Sequence, residues 1–288
     1  MGKTNPERDH NELPLLLGVM GDPIIQSKSP TMHTAALQAS GLRGSYLPFH
    51  VKRGDLRQAI LGIRALGFRG VNVTVPHKVE VMDYIDEIDE GARYIGAVNT
   101  IVNDGGLLKG YNTDGMGYIR SLKDEVVPDL AGRKVLVIGA GGAARGIIYA
   151  LLQEQPGQVI VANRTESTAQ KLAAEWAHLG NIKGCGLEQI ESHLPGIHVL
   201  INTTSVGMYP RTAEMPIAPD YIPEGIVVSD LIYNPLQTEL LWQAKQRGCI
   251  VHNGVGMFVY QGAYAFEYWT GQPAPIEAMK AAVLASLD

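Results

Sequence analysis

Residues Arg133-Lys-Val-Leu-Val-Ile138 form an apolar run that reads as a fully buried strand, and it leads directly into Gly139-Ala-Gly-Gly142 and a helical stretch from Ala143 to Gln155. Few local patterns restrict a fold more tightly. Strand, glycine turn and helix make the first step of a doubly wound parallel sheet, and Gly139-Ala140-Gly141-Gly142-Ala143-Ala144 matches the dinucleotide-binding spacing G-x-G-x-x-G/A. Gly139 allows the tight turn, Gly141 lets the backbone approach a pyrophosphate, and Ala144 is small enough for the helix to pack closely on the strand. The helix N-terminus then offers free N–H groups to an anion. A second strand is expected at Gln158 to Ala162, after which NAD-selective sites carry a carboxylate for the ribose hydroxyls. This chain has Asn163-Arg164-Thr165 there. A guanidinium and a hydroxyl bind a 2'-phosphate that a carboxylate would repel, so the turn points to NADP, while Glu166 close behind leaves room for some NAD use.

Further strands are expected at His198 to Asn202, Ile226 to Leu231 and Cys249 to His252, and Val255 to Leu287 is helical in pattern. The first third alternates strand-like runs at Leu15 to Met20, Ser45 to Val51 and Gly70 to Val75 with helices near Pro30 to Ser40 and Asp55 to Leu66. Ser29 before Pro30 reads as a helix N-cap, and Gly41 stands at the C-terminal stop. A length of 288 residues, at about 100 to 200 per domain, suggests two domains. The expectation is an α/β substrate and catalytic domain over 1–113, completed by C-terminal helices in 255–288, and a Rossmann-type doubly wound domain over 114–254. Thr113 to Leu130 is the candidate connection, and the site is expected in the cleft between the domains.

Charge narrows the partners. Lys plus Arg number 24 and Asp plus Glu 29, for a net charge of −5 without a polybasic block, so the footprint of a nucleic-acid or anionic-membrane binder is missing. No run is long and apolar enough to span a bilayer, and the polar stretch Met1 to Glu12 is not followed by a signal-peptide core. Two distant cysteines, Cys185 and Cys249, fit neither a disulfide framework nor a metal motif, and a cytoplasmic setting is the default.

Several polar clusters in the first domain stand at strand ends or in the following loops: Ser27-Lys-Ser-Pro30, Asn72-Val-Thr-Val-Pro-His-Lys78, Ala97-Val-Asn-Thr100 and Tyr111-Asn-Thr-Asp-Gly115. In Asn72 to Val75 the alternation predicts Asn72 and Thr74 on one face and Val73 and Val75 on the core side. Together with the dinucleotide turn, these clusters supply hydroxyl and amide groups, one ammonium and one carboxylate. Such a set suits a small polyhydroxylated anion undergoing proton-coupled hydride transfer. No His, Cys or carboxylate cluster has metal-ligand spacing.

This constellation resembles the shikimate dehydrogenase family. The matching motifs are Ser27 to Pro30, Asn72 to Lys78, Gly96 to Thr100, Gly110 to Gly115, Gly139 to Arg145, Asn163 to Thr165, Asn202-Thr-Thr-Ser-Val-Gly-Met208, Tyr233-Asn-Pro235 and Gly254-Val-Gly-Met-Phe-Val-Tyr-Gln-Gly-Ala263, in family order. The resemblance implies reversible reduction of 3-dehydroshikimate to shikimate with NADPH. It implies that Ser27 and Ser29 hold the substrate carboxylate, that Asn72, Thr74, Asn99 and Gln261 hold ring hydroxyls with Tyr233 nearby, and that Lys78 and Asp114 form the catalytic pair. Gly139, Ala140, Gly141, Gly142 and Ala143 would cradle the cofactor, and Asn163, Arg164 and Thr165 its 2'-phosphate. Thr204, Ser205, Val206, Met208, Leu231, Gly254 and Met257 would lie along the nicotinamide side. Where many relatives have Phe before the lysine this chain has His77, read as a neutral supporting ring without a catalytic role. Either member of the Lys78–Asp114 pair can carry the transferred proton. Two other readings stay open, a dual-specificity quinate/shikimate enzyme using NAD or NADP and a catalytically silent NADP-binding sensor; the expected state is a monomer or a homodimer.

Overall fold

A computed structural model describes residues 13–287; the polar lead-in Met1 to Glu12 lies outside the described residues. The first half of the chain folds as β1 (Leu15–Gly21), α1 (Ser29–Ala39), β2 (Gly44–His50), α2 (Leu56–Ala65), β3 (Gly70–Val73), β4 (Glu87–Ile88), α3 (Glu90–Ile95), β5 (Thr100–Asp104) and β6 (Leu107–Tyr111). These strands make one mixed sheet in the order β2-β1-β3-β5-β6-β4. Strands β1, β2 and β3 run parallel, whereas β5 is antiparallel to both β3 and β6. Leu17 and Val19 pack on one face against Met32 and Leu37 of α1, while Met20, Val71 and Val73 pack on the other against Leu56, Ile60 and Ile63.

Strands β4, β5 and β6 lie outside the expected runs. The signal for two of them was the pair Gly105-Gly106, whose φ angles of 60° and 101° close a two-residue hairpin between β5 and β6. A second difference concerns the end of β3. The strand stops at Val73, so Val75 is 62% exposed instead of facing the core, while Val73 is buried as the alternation predicts.

Helix α4 (Asp114–Glu125) occupies most of the segment read as a connection, and it leads into the second half: β7 (Lys134–Ile138), α5 (Gly142–Gln153), β8 (Gln158–Asn163), α6 (Glu166–Trp176), β9 (Ile182–Gly186), β10 (Val199–Asn202), β11 (Val227–Asp230), α7 (Glu239–Gln246), β12 (Ile250–His252), α8 (Val255–Thr270) and α9 (Ile276–Ala285). The second sheet, in the order β12-β11-β10-β7-β8-β9, is parallel throughout. This is the doubly wound architecture that the glycine turn predicts, with the strand order reversing between β7 and β10. The continuous apolar run of β7 has its reason in two covered faces. Val135 and Val137 meet Ile147 and Leu151, while Leu136 and Ile138 meet Ile190, Leu240 and Leu241.

The chain then returns to the first half. Val259, Phe266 and Trp269 of α8 and Met279 and Val283 of α9 share a core with β1 and α1. Full burial of side chains of this size contributes roughly 1.5–3 kcal/mol each, so the C-terminal helices are a substantial part of what holds the first sheet. Trp269 also donates its indole N–H to the Ile101 carbonyl at 2.9 Å.

Candidate active site

Both halves contribute to one cleft of about 550 Å³. Ser27 enters it from the loop after β1, Ser29 from the start of α1, Asn72 from β3, Thr74 and Lys78 from the turn that follows, Asn99 from the residue before β5, and Asp114 from the first position of α4. Met208, Leu231, Tyr233 and Gly254 reach it from loops of the second half, and Met257, Phe258 and Gln261 from α8. All nine residues read from the sequence as a substrate set are thus brought together.

Two glycines explain how Asp114 comes to lie where all these elements meet. A Cβ at Gly115 would collide with the Gly146 carbonyl of α5, and one at Gly117 would stand 2.5 Å from the Gln261 backbone nitrogen of α8. Only bare backbone lets α4 approach both helices this closely. The motif Asp114-Gly-Met-Gly117 therefore places its carboxylate beside the glycine-turn helix on one side and Gln261 on the other.

Lys78 Nζ donates to Asp114 Oδ2 at 2.7 Å, and the pair is partly buried. The other oxygen, Asp114 Oδ1, accepts from Asn99 Nδ2 at 2.8 Å. Asn99 is itself fixed, since Nδ2 also donates to Thr113 Oγ1 at 3.0 Å and Oδ1 accepts the Thr113 N–H at 2.9 Å and the Thr100 hydroxyl at 3.0 Å. Asn72 donates through Nδ2 to the Asn99 carbonyl at 3.2 Å and to Thr100 Oγ1 at 3.0 Å, and accepts the Tyr46 hydroxyl at 2.7 Å. Both of its N–H donors are occupied, so Asn72 has only an acceptor position left for a ligand hydroxyl. The Lys78 ammonium spends one of its three N–H groups on Asp114 and keeps the others for the cleft.

At the mouth of the second sheet the surface is made of backbone. Gly139 has φ 108°, a conformation that favours glycine, and a Cβ there would stand 2.5 Å from Thr203 Oγ1. Its N–H donates to the Ala162 carbonyl at 2.8 Å, joining the ends of β7 and β8. Gly141, Gly142 and Ala143 are exposed, and among the described residues no side chain caps the start of α5. Ala140 and Ala144 are buried beneath them. At the end of β8, Asn163 Nδ2 donates to the Thr165 carbonyl at 3.0 Å and shapes a turn on which Arg164 and Thr165 are exposed. Thr204, Ser205 and Val206 follow β10, with the Thr203 hydroxyl donating to the Ile138 carbonyl at 2.7 Å.

Three family models match the chain in order: the shikimate dehydrogenase substrate binding domain over residues 19–101, shikimate/quinate 5-dehydrogenase over 121–215, and the shikimate 5'-dehydrogenase C-terminal domain over 254–284. The NADP(+) shikimate dehydrogenase of Geobacillus kaustophilus is 48% identical over 270 residues, covering 94% of this chain and 98% of that one. The chain belongs to the shikimate dehydrogenase family. A crystal structure of a shikimate dehydrogenase in complex with NADP+ superposes with a TM-score of 0.89 at 41% identity, covering 96% of each chain. The Thermus thermophilus shikimate 5-dehydrogenase, solved with NADP(H) and shikimate, gives a TM-score of 0.86 at 36% identity, covering 95% of this chain and all of that one.

Within this shikimate dehydrogenase framework one expectation needs correction. Helix α1 begins at Ser29, so Lys28 and not Ser29 occupies the cap position, and Pro30 falls at the second helical residue. The Ser29 N–H is instead taken by Ser27 Oγ at 3.3 Å, and Ser29 lines the cleft. Asp114 is likewise the first residue of α4. His77 is fully buried and donates Nε2–H to the Val51 carbonyl at 2.6 Å, which ties the residue before Lys78 to the end of β2. The Lys78 carbonyl accepts the Val98 N–H at 2.8 Å, which locks the Lys78 and Asn99 segments together.

Sequence reasoning missed Tyr46, Thr100 and Thr113, which fix the orientation of the two asparagine side chains, and Phe258, which stacks on Tyr233 at 4.9 Å. Thr100 and Thr113 lay inside motifs already singled out; nothing in the sequence around Tyr46 marked it. Among the described residues no group of three or more His, Cys, Asp or Glu is placed to hold a metal ion, and no helix is long and apolar enough to cross a membrane.

Proposed function

We propose that this chain catalyses the reversible reduction of 3-dehydroshikimate to shikimate with NADPH, with Lys78 and Asp114 as the catalytic pair. The observation that carries the reading is the 2.7 Å Lys78–Asp114 contact in a cleft whose opposite wall is built by the glycine-turn half. That half fits a dinucleotide. A Cβ at Gly141 or Gly142 would meet no atom within 4 Å, so these two residues leave an open backbone cradle before the uncapped start of α5. Arg164 and Thr165 stand on the adjacent strand end, where a 2'-phosphate would be held.

When bound, NADPH supplies the hydride that reduces the carbonyl carbon. As negative charge grows on the carbonyl oxygen, the Lys78 ammonium stabilises it by a charge-assisted hydrogen bond and stands ready to deliver a proton. Asp114, held by Asn99, fixes the ammonium in place and accepts a substrate hydroxyl. The Ser27 and Ser29 hydroxyls would take the carboxylate at the other end of the cleft, and Asn72, Thr74, Tyr233 and Gln261 would line the ring between. The division of labour is then a substrate and catalytic domain over 1–113 with the helices of 255–288, and an NADP domain over 114–254.

Initial rates with shikimate or quinate crossed against NADP or NAD test the reading. Preference for shikimate with NADP is expected. Comparable rates with quinate or NAD would move the chain to the dual-specificity branch of the family, and no turnover in any combination would overturn the enzymatic reading.

A further inference from the structure

The loops on the cofactor side of the cleft share one buried anchor. Asp230 ends β11 directly opposite Asn202 at the end of β10, and both residues are fully buried. Asp230 Oδ1 accepts the Ile232 N–H and Asn202 Nδ2–H, each at 3.1 Å, and Oδ2 accepts the Thr238 hydroxyl at 2.8 Å. Asn202 passes this order on, because its Oδ1 accepts the Thr204 N–H at 3.0 Å and the Thr204 hydroxyl at 2.7 Å. Thr204 Oγ1 in turn accepts the Val206 N–H at 3.2 Å. The Asn202 carbonyl takes the Leu231 N–H at 3.1 Å, and the Ile232 carbonyl takes the Gly254 N–H at 3.0 Å.

Three donors therefore converge on one carboxylate, and loss of that acceptor would leave the Ile232 N–H and the Thr238 hydroxyl buried without an acceptor and Asn202 Nδ2 with only its 3.4 Å bond to the Val206 carbonyl. Keeping a carboxylate here is costly. Burial pushes the Asp230 carboxyl up to about 6 although its three hydrogen bonds pull it down. No apolar residue could replace this arrangement while keeping the loops after β10 and β11 in their present relation.

We propose that Asp230 is a positioning residue for the reaction: acting through Asn202 and the Ile232 N–H, it sets the loop from Thr204 to Met208 and the Leu231 to Gly254 wall opposite Lys78 and Asp114. This rests on the functional reading above, and what it requires of Asp230 is geometry rather than charge. Asp230→Asn and Asp230→Ala separate the two. Asparagine can keep its oxygen for Ile232 and Asn202 and turn its N–H to Thr238 Oγ1, which accepts as well as donates. Alanine leaves the Ile232 N–H and the Thr238 hydroxyl unpaired and Asn202 Nδ2 with only the Val206 carbonyl.

The experiment measures Kd for NADP+ by fluorescence titration without substrate, Kd for adenosine 2',5'-bisphosphate, and steady-state kcat and KM. For Asp230→Ala the expected result is at least about tenfold weaker NADP+ binding and a kcat about 100-fold lower, with KM for shikimate and binding of the bisphosphate within about twofold of wild type. Asp230→Asn is expected to restore both affected quantities to within about threefold. An asparagine variant as impaired as the alanine variant would overturn the proposal, because charge would then be the contribution. Equal loss of the bisphosphate would overturn it too, since Asp230 would be holding the whole nucleotide half together. Should Asp230→Ala fail to fold, Asn202→Ala cuts the same link and must show the same split; wild-type NADP+ affinity and kcat in that variant would overturn the proposal. If the wild type itself bound no NADP+, the functional reading would fail first and take the proposal with it.

Discussion

The two walls of the cleft are built on opposite principles. The first is made of side chains that satisfy one another before any ligand arrives: Lys78 on Asp114, Asp114 on Asn99, Asn99 on Thr100 and Thr113, and Asn72 on Tyr46. The second presents Met208, Leu231, Tyr233 and Gly254 to the cleft and, at the mouth of its sheet, exposed backbone, with Gly141, Gly142 and Ala143 leading into a helix that no side chain caps among the described residues. A small, hydroxylated ring demands fixed donors and acceptors at several points, which only a preorganised side-chain network provides. A pyrophosphate demands close approach and partial positive charge, which side chains would obstruct. The contrast also explains why the buried polar network of the second half, around Asp230, lies behind its wall and not in it.

The largest expected effect tests whether chemistry belongs to the first wall alone. Lys78→Ala should lower kcat by roughly 10³- to 10⁴-fold while Kd for NADP+ stays unchanged. A kcat within tenfold of wild type, read at the nicotinamide absorbance, would remove Lys78 from the proton transfer.

Acid should separate the walls next. His33 lies behind the first wall, fully buried, stacked on Tyr46 at 4.3 Å and, among the described residues, without a hydrogen-bond partner on either ring nitrogen. Burial pulls its pKa from 6.5 to about 3. Because the folded value lies below the unfolded one, the stability this neutral ring allows is complete above about pH 6.5 and is lost as pH falls toward 3, by up to roughly 5 kcal/mol. His252 at the end of β12, lowered to about 4 by burial, acts with the same sign. Asp230, raised from 3.8 to about 6, has the opposite sign and returns stability as pH falls through that interval. Urea denaturation at pH 7, 5 and 4 should show a net loss that His33→Phe, which keeps the stacked ring, makes shallower. An unchanged pH slope in that variant would acquit His33.

A smaller effect lies at the junction of the walls. Gly115→Ala drives a Cβ into the Gly146 carbonyl and should cost about 2–3 kcal/mol of stability as α4 and α5 separate, with kcat falling because Asp114 moves with α4. Wild-type stability would mean that the crossing is looser than its geometry implies. The smallest effect sharpens the second wall. Arg164→Ala should raise KM for NADP about 10- to 30-fold and leave KM for NAD within about twofold, since only the 2'-phosphate contact is lost. Equal loss with both cofactors would place Arg164 elsewhere in the site.

Legibility follows the same division. The second half was almost fully readable, because a backbone site announces itself by the glycines it needs and because β7 is buried on both faces and therefore continuously apolar. The short strand β9 escaped because Lys183, Gly184 and Gly186 dilute its apolar pattern. In the first half the polar motifs were visible, but β5 and β6 were not recognised, since Asn103 and Asp104 in β5 and Lys109 and Gly110 in β6 break the apolar pattern on either side of the Gly105-Gly106 hairpin. Val75 was misplaced for a related reason: alternation says which face a residue takes only while the strand lasts, and β3 ends two residues earlier.

By itself the sequence determined the α/β class, the glycine turn, the Asn163-Arg164-Thr165 turn that suits a 2'-phosphate, and the residue types from which the cleft is built, because each of these is a local property of strand, turn or charge. Tertiary structure decided which of those residues meet. Lys78 and Asp114 are 36 positions apart and touch only because Gly115 and Gly117 let α4 sit against α5 and α8. Tyr46 became part of the site only when β2 was laid beside β1 and β1 beside β3, which brings its hydroxyl to Asn72. Asp230 and Asn202 became partners only as neighbours across two parallel strands. Contacts of this kind depend on register and helix crossing, quantities set by the packing of the whole core and written in no single stretch of the chain.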